Sequence, residues 1–150
     1  MGLDQYLYIA KEELEKDYYE HLGEKICEEN SEIYYYDETE ILEPIAYFRK
    51  SNWLHGYLNR LCLERTYHEI EDCEYFIFSQ QDLKNLITLC REVVEYKSIA
   101  YAEDWLPPMS GFFFGSTAID EYYFEDVQDF INDMEVYEED NFQYVYYAWW

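Results

Sequence analysis

The chain has 150 residues, with 34 Asp and Glu against 10 Lys and Arg, which gives a formal net charge of -24 at pH 7. A compact surface of this charge repels nucleic acid and anionic lipid, so the composition argues against direct binding to either and favours a basic protein as partner. Hydrophobic residues make up 49% of the chain, which argues against disorder and predicts a single domain over residues 1–150.

The sequence carries no signal for a membrane, for export or for a metal. No apolar run approaches the roughly 18 residues of a membrane span. The first residues lack the basic and apolar regions of a signal peptide. The four cysteines form no CxxC pair, and the three histidines show no metal-ligand spacing. We therefore expect a cytoplasmic protein with reduced thiols and no metal or other cofactor.

The first forty residues contain aromatic and acidic stretches. Residues 3–10 are typical of a strand, because apolar and aromatic side chains recur along them. Residues 11–25 predict a helix that closes near Gly23, and residues 33–36 predict a short aromatic strand. An acidic turn is expected over residues 37–40.

A basic helix is expected next. Pro44 fits the first turn of a helix that ends near Leu63, since proline is tolerated where no backbone N–H is needed. Apolar side chains recur at helical spacing on one side of it. Because basic residues cluster along the same stretch, the sequence predicts a single cationic helix in an otherwise acidic protein.

The second half of the chain has the clearest element signals. Residues 74–79 form an aromatic, apolar run that predicts a strand, and residues 79–82 match a capping box before an amphipathic helix. A second possible box at residues 117–120 precedes a helix that ends near Val136. Residues 142–150 predict a strand that is buried or paired on both sides. About four helices and four strands in mixed order predict an α+β fold, with the helices packed on a small mixed sheet.

The acidic face of the late helix is the first candidate site. Residues 98–150 contain no Lys or Arg and 12 Asp and Glu, with aromatic residues between them. The net charge equals that of the phosphates on about 41 Å of B-DNA, and a domain of this size is about 38 Å across. Carboxylates can therefore stand in for phosphates, and tyrosines can add packing area. The expected partner-binding residues are Glu121, Glu125, Asp126, Asp129, Asp133, Glu138, Glu139, Asp140, Tyr122 and Tyr137.

A cationic pocket is the second candidate. On a helix, Asn52 and His55 share a face, while Arg49 and Trp53 lie four apart and can stack. Such a face can hold a phosphate or move a proton. The alternative is that the cations pair with carboxylates and the polar side chains satisfy buried groups. The expected pocket residues are Arg49, Lys50, Asn52 and His55, with Ser110, Ser116 and Thr117 from a glycine-bounded turn that lacks the Gly-Lys-Ser/Thr of a phosphate loop.

Signatures of catalysis are absent from the sequence. It contains no GxSxG, no Cys–His signature and no HExxH. Carboxylate pairs are so frequent that none stands out as an acid/base pair. We therefore expect a protein that is not an enzyme.

Three segments carry a resemblance to a known family. They are MGLDQYLY at residues 1–8, IAYFRKSNWLH at residues 45–55, and SGFFFGST at residues 110–117 with DEYY at residues 120–123. In this order they resemble a family of small acidic phage and prophage proteins, mostly of unassigned function. The resemblance implies a phage-encoded protein in the cytoplasm of the host cell. By analogy it suggests an inhibitor of host defence, like the anti-CRISPR and anti-restriction proteins that imitate DNA.

Three functions are consistent with these observations. The first is a non-enzymatic inhibitor that occupies the nucleic-acid groove of a basic host protein, such as a CRISPR effector nuclease. The alternative is a nucleotide- or small-molecule-binding protein or enzyme that uses the cationic pocket. The third is a phage structural or assembly factor. Neither the identity of the target nor the oligomeric state follows from the sequence.

Overall fold

The structure is a computed structural model that describes residues 2–20, 22, 24–27, 32–35 and 38–150, with the backbone alone for 24–27, 32–35, 38 and 39. The strands are β1 Asp4–Ala10, β2 Tyr18–Tyr19, β3 Glu24–Cys27, β4 Glu32–Tyr35, β5 Leu42–Arg49, β6 Glu74–Ser79 and β7 Gln143–Trp149. The helices are α1 Glu38–Ile41, α2 Asn52–Thr66, α3 Gln80–Tyr96, α4 Ile99–Trp105 and α5 Glu121–Met134, and a 3-10 turn over Glu135–Tyr137 follows α5.

Five strands form one sheet in the order β2-β6-β7-β1-β5, and β3 pairs separately with β4. The α+β class expected from the sequence is confirmed, although every described strand pair is antiparallel and the sheet is not mixed. β7 lies at the centre between β6 and β1, as expected for a strand that is paired on both sides. Among the described residues, no helix is both long and apolar enough to cross a bilayer.

The main core lies between one face of the sheet and the helices. Phe76 and Phe78 of β6 and Tyr144 and Tyr146 of β7 are fully buried there, in one cluster with Phe130 of α5. They alternate along each strand with residues of the opposite face, as the two-residue period of a strand requires. Burial of one large apolar side chain contributes about 1.5–3 kcal/mol, so this layer is a main source of stability.

A row of tyrosines crosses the other face of the sheet. The strand register places Tyr19, Tyr75, Tyr147, Tyr6 and Tyr47 side by side on β2, β6, β7, β1 and β5. Ring centroids lie 4.6 Å apart for Tyr75 and Tyr147, and 5.1 Å apart for Tyr6 and Tyr47. This tyrosine row depends on the alignment of all five strands, so no local pattern in the sequence predicts it.

The predicted helix from Pro44 to Leu63 is wrong in its first part. Pro44 lies in β5, an edge strand, where a missing backbone N–H is tolerated. Ile45 has no partner in the register between β1 and β5, which marks a β-bulge beside the proline. Proline is tolerated in the first turn of a helix and in an edge strand for the same reason, because its backbone nitrogen needs no acceptor there. The sequence alone therefore does not distinguish the two.

A turn at Lys50 separates β5 from α2. Its φ of 56° lies in the left-handed region, and the helix begins two residues later at Asn52. Arg49 ends the strand and Trp53 lies in the helix, so the spacing argument for their stacking does not apply. The predicted cationic helix is thus divided between a strand, a turn and a helix.

The predicted helix over residues 11–25 is also wrong. Residues 11–17 have no regular structure, and the two residues of β2 pair with β6. The segment is held by Gln143, whose Nε2 donates to Leu14 O at 3.0 Å and whose Oε1 accepts from Leu14 N at 2.8 Å. Gly23 lies outside the described residues. Local spacing cannot reveal a partner that is 129 residues away.

The short elements before β5 agree with expectation in part. The aromatic strand predicted at residues 33–36 is present as β4 through residue 35, and residue 36 lies outside the described part of the chain. The acidic turn predicted at residues 37–40 is one turn of helix, α1, from residue 38 onward. This turn leads directly into β5.

Side-chain caps begin the two long helices of the second half. The capping box before α3 is confirmed, because Asp82 N donates to Ser79 Oγ at 3.1 Å and Ser79 N donates to Asp82 Oδ2 at 2.8 Å. The box predicted at residues 117–120 is wrong, because Asp120 itself is the cap of α5 and accepts from Tyr123 N at 3.1 Å. Both caps satisfy backbone donors that no intrahelical bond reaches.

Candidate functional site

The exposed face of α5 carries a line of carboxylates, here called the acidic stripe. It consists of Glu121, Glu125, Asp129 and Asp133, all exposed. Residues four apart on an α-helix rise about 6 Å and turn about 40°, so these four span about 18 Å and wind through about 120°. The acidic stripe is therefore a curved line of charge rather than a straight row.

Cations of α3 and its C-cap residue Lys97 neutralise carboxylates at both ends of this surface. The pairs are Lys97–Glu121 and Arg91–Glu138, each at 2.8 Å, Arg91–Glu135 at 3.5 Å, and Lys84–Glu139 at 3.9 Å. They follow the antiparallel course of α3 and α5, with the end of α3 beside the start of α5. Three of the predicted partner-binding residues thus already have a counter-charge.

The centre of the acidic stripe has no such neutralisation. Glu125, Asp129 and Asp133 form no ion pair with any residue that the structure describes, and Asp140 forms none either. Exposed carboxylates without a counter-charge attract cations of a partner more strongly than paired ones. The centre of the stripe is therefore the part of the predicted surface best suited to a basic protein.

Asp126 was predicted on this surface, but it turns towards α2 and is half-buried. Trp53 Nε1 donates to Asp126 Oδ2 at 2.7 Å. Burial raises the pKa of Asp126, and the nearby Ser51 hydroxyl and Trp53 N–H offset this in part. The Ser51 hydroxyl nevertheless meets no partner in hydrogen-bond geometry. The bond from Trp53 is therefore the one that holds the carboxylate.

The two predicted tyrosines differ in exposure. Tyr122 is 80% exposed beside the acidic stripe. Tyr137 is half-buried, and its carbonyl oxygen accepts from Gln80 Nε2 at 2.9 Å, which fixes the turn after α5. Tyr122 is therefore the better anchor for a partner, because aromatic side chains contribute most where they become buried on binding.

Arg49 and Lys50 form an exposed cationic corner at the end of β5. A Cβ on Gly2 would lie 2.9 Å from Lys50 Cε and 3.3 Å from Arg49 Nη2, so both side chains fold over that residue. Neither cation forms an ion pair with a residue that the structure describes. The alternative in which Arg49 and Lys50 pair with surrounding carboxylates is therefore wrong for the residues that the structure describes.

His55 is an interior residue. It is 1% exposed, and its Nδ1 lies 2.8 Å from the Tyr146 hydroxyl. Gln5 Nε2 donates to the same hydroxyl at 3.0 Å and to Ser51 O at 2.9 Å. Burial lowers the pKa of His55 to about 4, so the imidazole is neutral at pH 7. It is a satisfied buried polar group, and this placement does not support the predicted acid/base role.

Asn52 fixes the glycine-bounded turn of residues 110–117. Its Nδ2 donates to Phe114 O at 3.1 Å and to Ser116 O at 2.9 Å. Gly115 lies between these two carbonyls with a φ of 88°, and a Cβ there would be 3.3 Å from Lys50 Cδ. A side chain at this position would both strain the backbone and crowd the lysine.

These groups surround one cleft, here called the central cleft, with a volume of about 350 Å³. It lies where the end of β5, the start of α2, the turn of residues 110–117 and the start of α5 meet. Its lining takes Lys50, Asn52 and Ser116 from the predicted pocket and Tyr122 and Asp126 from the predicted acidic surface. It also contains Trp53, Asp120 and Tyr123, which were not among the predicted site residues. The other predicted pocket residues, Arg49, His55, Ser110 and Thr117, do not line it.

The three segments that carry the phage-family resemblance meet around the central cleft. Lys50 N donates to Leu3 O at 2.7 Å, and Leu3 N donates to Phe113 O at 3.3 Å. These bonds join residues 1–8 to the other two segments, which line the cleft themselves. The second and third segments supply Lys50, Asn52 and Ser116, the residues of the predicted pocket that line the cleft.

An aromatic groove lies between α3 and α4. Tyr101 and Trp105 line it together with Leu89 and Glu92, and its volume is about 410 Å³. Trp105 is 59% exposed, and the Tyr101 hydroxyl donates to Glu92 at 2.7 Å. The groove depends on how a short helix packs on α3, so the sequence did not indicate it.

Neither a metal nor a relative identifies the site. In the described ranges, no group of three or more His, Cys, Asp or Glu is placed to hold a metal ion. No protein-family model, no curated protein and no solved structure matches the chain. The acidic stripe and the central cleft are therefore the features that bear on function.

Proposed function

We propose that the protein is a non-enzymatic inhibitor that binds a basic, nucleic-acid-binding protein through α5. The observation that carries the proposal is the centre of the acidic stripe, where Glu125, Asp129 and Asp133 have no counter-charge among the described residues. Cations of α3 neutralise carboxylates at either end but leave these three to solvent. They are available to the Lys and Arg side chains of a partner groove.

The class of target follows from the charge and from the resemblance. A net charge of -24 attracts a groove lined with Lys and Arg for binding phosphates, and it speeds association with that groove. The resemblance to phage proteins supports a host defence nuclease, with CRISPR effectors and restriction nucleases as the first candidates. The inhibitor would occupy the groove in the place of DNA, in the cytoplasm of the host cell.

Exposed aromatic side chains support a protein partner. Tyr122 is 80% exposed next to the acidic stripe, and Trp105 is 59% exposed in the groove between α3 and α4. Charge mainly steers association, whereas a few buried aromatic anchors supply much of the binding energy. Charged side chains for steering and exposed aromatic side chains for anchoring are therefore both present on the helical side of the molecule.

The proposal is tested by binding to purified CRISPR effectors and restriction nucleases over a series of salt concentrations, with and without target DNA. We expect binding that excludes DNA and weakens steeply with salt. Glu125→Gln, Asp129→Asn and Asp133→Asn together should weaken binding about tenfold or more and flatten the salt dependence.

The matched control is Glu121→Gln, Glu138→Gln and Glu139→Gln, which removes the same net charge from carboxylates that α3 already neutralises. It should weaken binding much less than the central triple variant. Equal effects of the two variants would overturn the role of the stripe centre. A complex that is insensitive to salt, or that still binds target DNA normally, would overturn the proposal itself.

A second candidate function is the binding of a nucleotide or another small molecule in the central cleft. One observation favours it, namely that three segments far apart in the sequence converge there. A thermal-shift screen with nucleotides, cyclic nucleotides and small metabolites tests it. We expect a stabilising compound whose effect is lost in Lys50→Gln and kept in Arg49→Gln, because only Lys50 lines the cleft. A screen without any stabilising compound would exclude this function.

A further inference from the structure

The central cleft contains a cation and an anion that do not pair with each other. Lys50 and Asp126 both line it, yet neither lies within 4.0 Å of an opposite charge among the described residues. Four other cations, Arg65, Lys84, Arg91 and Lys97, do pair with carboxylates. The lining of the cleft therefore contains two opposite charges that do not form an ion pair.

The anionic side of the cleft is partly removed from water. Asp126 is half-buried and accepts one bond, from Trp53. Beside it the Ser51 hydroxyl, in a residue that is 1% exposed, has no partner in hydrogen-bond geometry within the described part of the chain. A carboxylate in this position gains more than a solvated one from a cationic donor, because less water has to be displaced and the local dielectric is low.

Three aromatic residues line the cleft together with this carboxylate. Trp53 and Tyr123 are buried walls, whereas Tyr122 is 80% exposed at the rim. The faces of such rings attract ammonium and guanidinium groups. Carboxylate and aromatic side chains together thus favour a cationic group over a neutral or anionic one.

The signs of the charges decide between classes of ligand. Asp120 and Asp126 outnumber Lys50 in the lining, and the whole chain carries a net charge of -24. The phosphates of a nucleotide would therefore enter against repulsion, whereas a molecule with one cation and one anion would not. A volume of about 350 Å³ lies near the lower end of the range for ligand pockets, which fits a small metabolite.

We propose that the central cleft binds a small zwitterion, with its guanidinium or ammonium group against Asp126 and its carboxylate against Lys50. This inference rests on the second candidate function and is independent of the inhibitor function. Arginine is the simplest probe, because its planar cation can form two hydrogen bonds to a carboxylate and stack on an aromatic ring. Agmatine, which has the guanidinium but no carboxylate, is the matched control ligand.

The test is thermal denaturation and calorimetric titration of the full chain with arginine, agmatine and nucleotides. Arginine at about a hundredfold excess over its dissociation constant should raise the melting temperature by about 5–10 °C. Agmatine should bind about tenfold more weakly, because it leaves Lys50 without an anion. The comparison of the two ligands uses the unmodified protein and does not depend on a variant that folds.

Two substitutions assign the contacts. Asp126→Asn keeps an acceptor for Trp53 but should weaken arginine binding about tenfold or more. Lys50→Gln should remove the difference between arginine and agmatine. The controls are Asp104→Asn and Lys97→Gln, which change exposed charges outside the cleft and should leave arginine binding unchanged.

The outcomes separate this inference from the function on which it rests. Stabilisation by nucleotides but not by arginine would keep the small-molecule function and overturn the zwitterion. Equal affinities for arginine and agmatine in the unmodified protein would also overturn it. No effect of any compound would overturn both, and none of these results bears on the acidic stripe.

Discussion

The indole N–H of Trp53 donates a hydrogen bond to Oδ2 of Asp126 at 2.7 Å and ties the start of α2 to α5. Trp53 is 2% exposed and packs edge-on against Phe130, with ring centroids 5.4 Å apart. One side chain therefore belongs both to the core and to the central cleft. Because Glu125 precedes Asp126 on the helix, the same bond helps to fix the rotation of α5 that turns the acidic stripe to solvent.

We expect Asp126→Ala to lower the free energy of unfolding by about 1–3 kcal/mol, because it leaves a buried indole N–H without an acceptor. Asp126→Asn should cost less, since its amide oxygen can accept the same bond. Urea denaturation measures both. Glu125→Ala, at the neighbouring exposed position, should stay within about 0.5 kcal/mol of the parent. Similar losses at the two positions would contradict the structural role of the Trp53–Asp126 bond.

Acid should destabilise the protein through His55. Burial lowers the pKa of this side chain from 6.5 to about 4 in the folded chain. As the pH falls, the unfolded state binds the proton first, so this contribution is complete above pH 6.5 and is lost progressively down to about pH 4. The loss amounts to about 3 kcal/mol, and denaturation midpoints at a series of pH values measure it.

His55→Gln isolates this contribution, because it removes the titrating ring. The variant should lose less stability than the parent as the pH falls through the same window. Burial raises the pKa values of Glu74 and Asp126, so these groups stabilise the fold as the pH falls and oppose the effect of His55. Both carboxyl groups are present in the parent and in the variant. Identical pH profiles of parent and variant would refute the assignment to His55.

Asp82 should stabilise the fold both as a helix cap and as the partner of Arg65. Arg65 donates to it through two nitrogen atoms, at 2.5 and 2.7 Å, and Ser79 completes the capping box. Burial raises the pKa of Asp82, but these donors outweigh burial and the pKa is lowered overall. We expect Asp82→Ala to cost about 1–2 kcal/mol in urea denaturation at pH 7.

Arg65→Ala should cost less than Asp82→Ala, because the arginine side chain is 32% exposed and its ion pair is screened by solvent. The contribution of the Asp82 charge is present above its ordinary pKa of 3.8 and is lost as the pH falls below that value. A double-mutant cycle separates the pair from the cap. If Arg65→Ala lowered the stability as much as Asp82→Ala, the capping box would not contribute more than the Arg65–Asp82 ion pair.

Gly115→Ala should destabilise the turn beside the central cleft. Its φ of 88° lies in a region where an L-residue with a side chain costs about 1–2 kcal/mol. The new methyl group would also press on Lys50, so binding in the cleft should weaken together with stability. Thermal denaturation measures the first effect. Ser110→Ala, exposed in the same turn, is the control and should leave the melting temperature unchanged, and a neutral Gly115→Ala would contradict the strain.

The strands and helices that the sequence predicted well are those whose signal is local. β6 and α3 are marked by an apolar run and by a capping box at residues 79–82, and both depend on neighbours within a few residues. The first part of the predicted basic helix failed because Pro44 suits a helix start and an edge strand equally. The helix predicted from residue 11 is absent over residues 11–17 because Gln143, far along the chain, bonds to the backbone of Leu14 in place of helical hydrogen bonds.

The candidate pocket was predicted in part, because Lys50, Asn52 and Ser116 line the central cleft whereas Arg49, His55, Ser110 and Thr117 do not. Asn52 and His55 do lie in one helix, but which side of α2 faces the sheet was not in the sequence, and His55 is on the buried side. In the same way Asp126 follows Glu125 in α5, yet Asp126 accepts a hydrogen bond from Trp53 whereas Glu125 faces solvent. The lining of the central cleft comes from residues 50–53 and 115–126, two stretches far apart in the sequence, and no spacing rule brings such stretches together.

The tyrosine row makes the alignment of the strands independent of the charges that dominate the surface. Tyrosine side chains are ordinarily uncharged at neutral pH, so salt has little charge to screen between their rings. Each cross-strand aromatic pair contributes about 0.2–1 kcal/mol, and a one-residue slip of a strand would turn its tyrosine to the opposite face. Changes of ionic strength therefore act on the charged surface of α5 while the sheet that supports this helix keeps its shape.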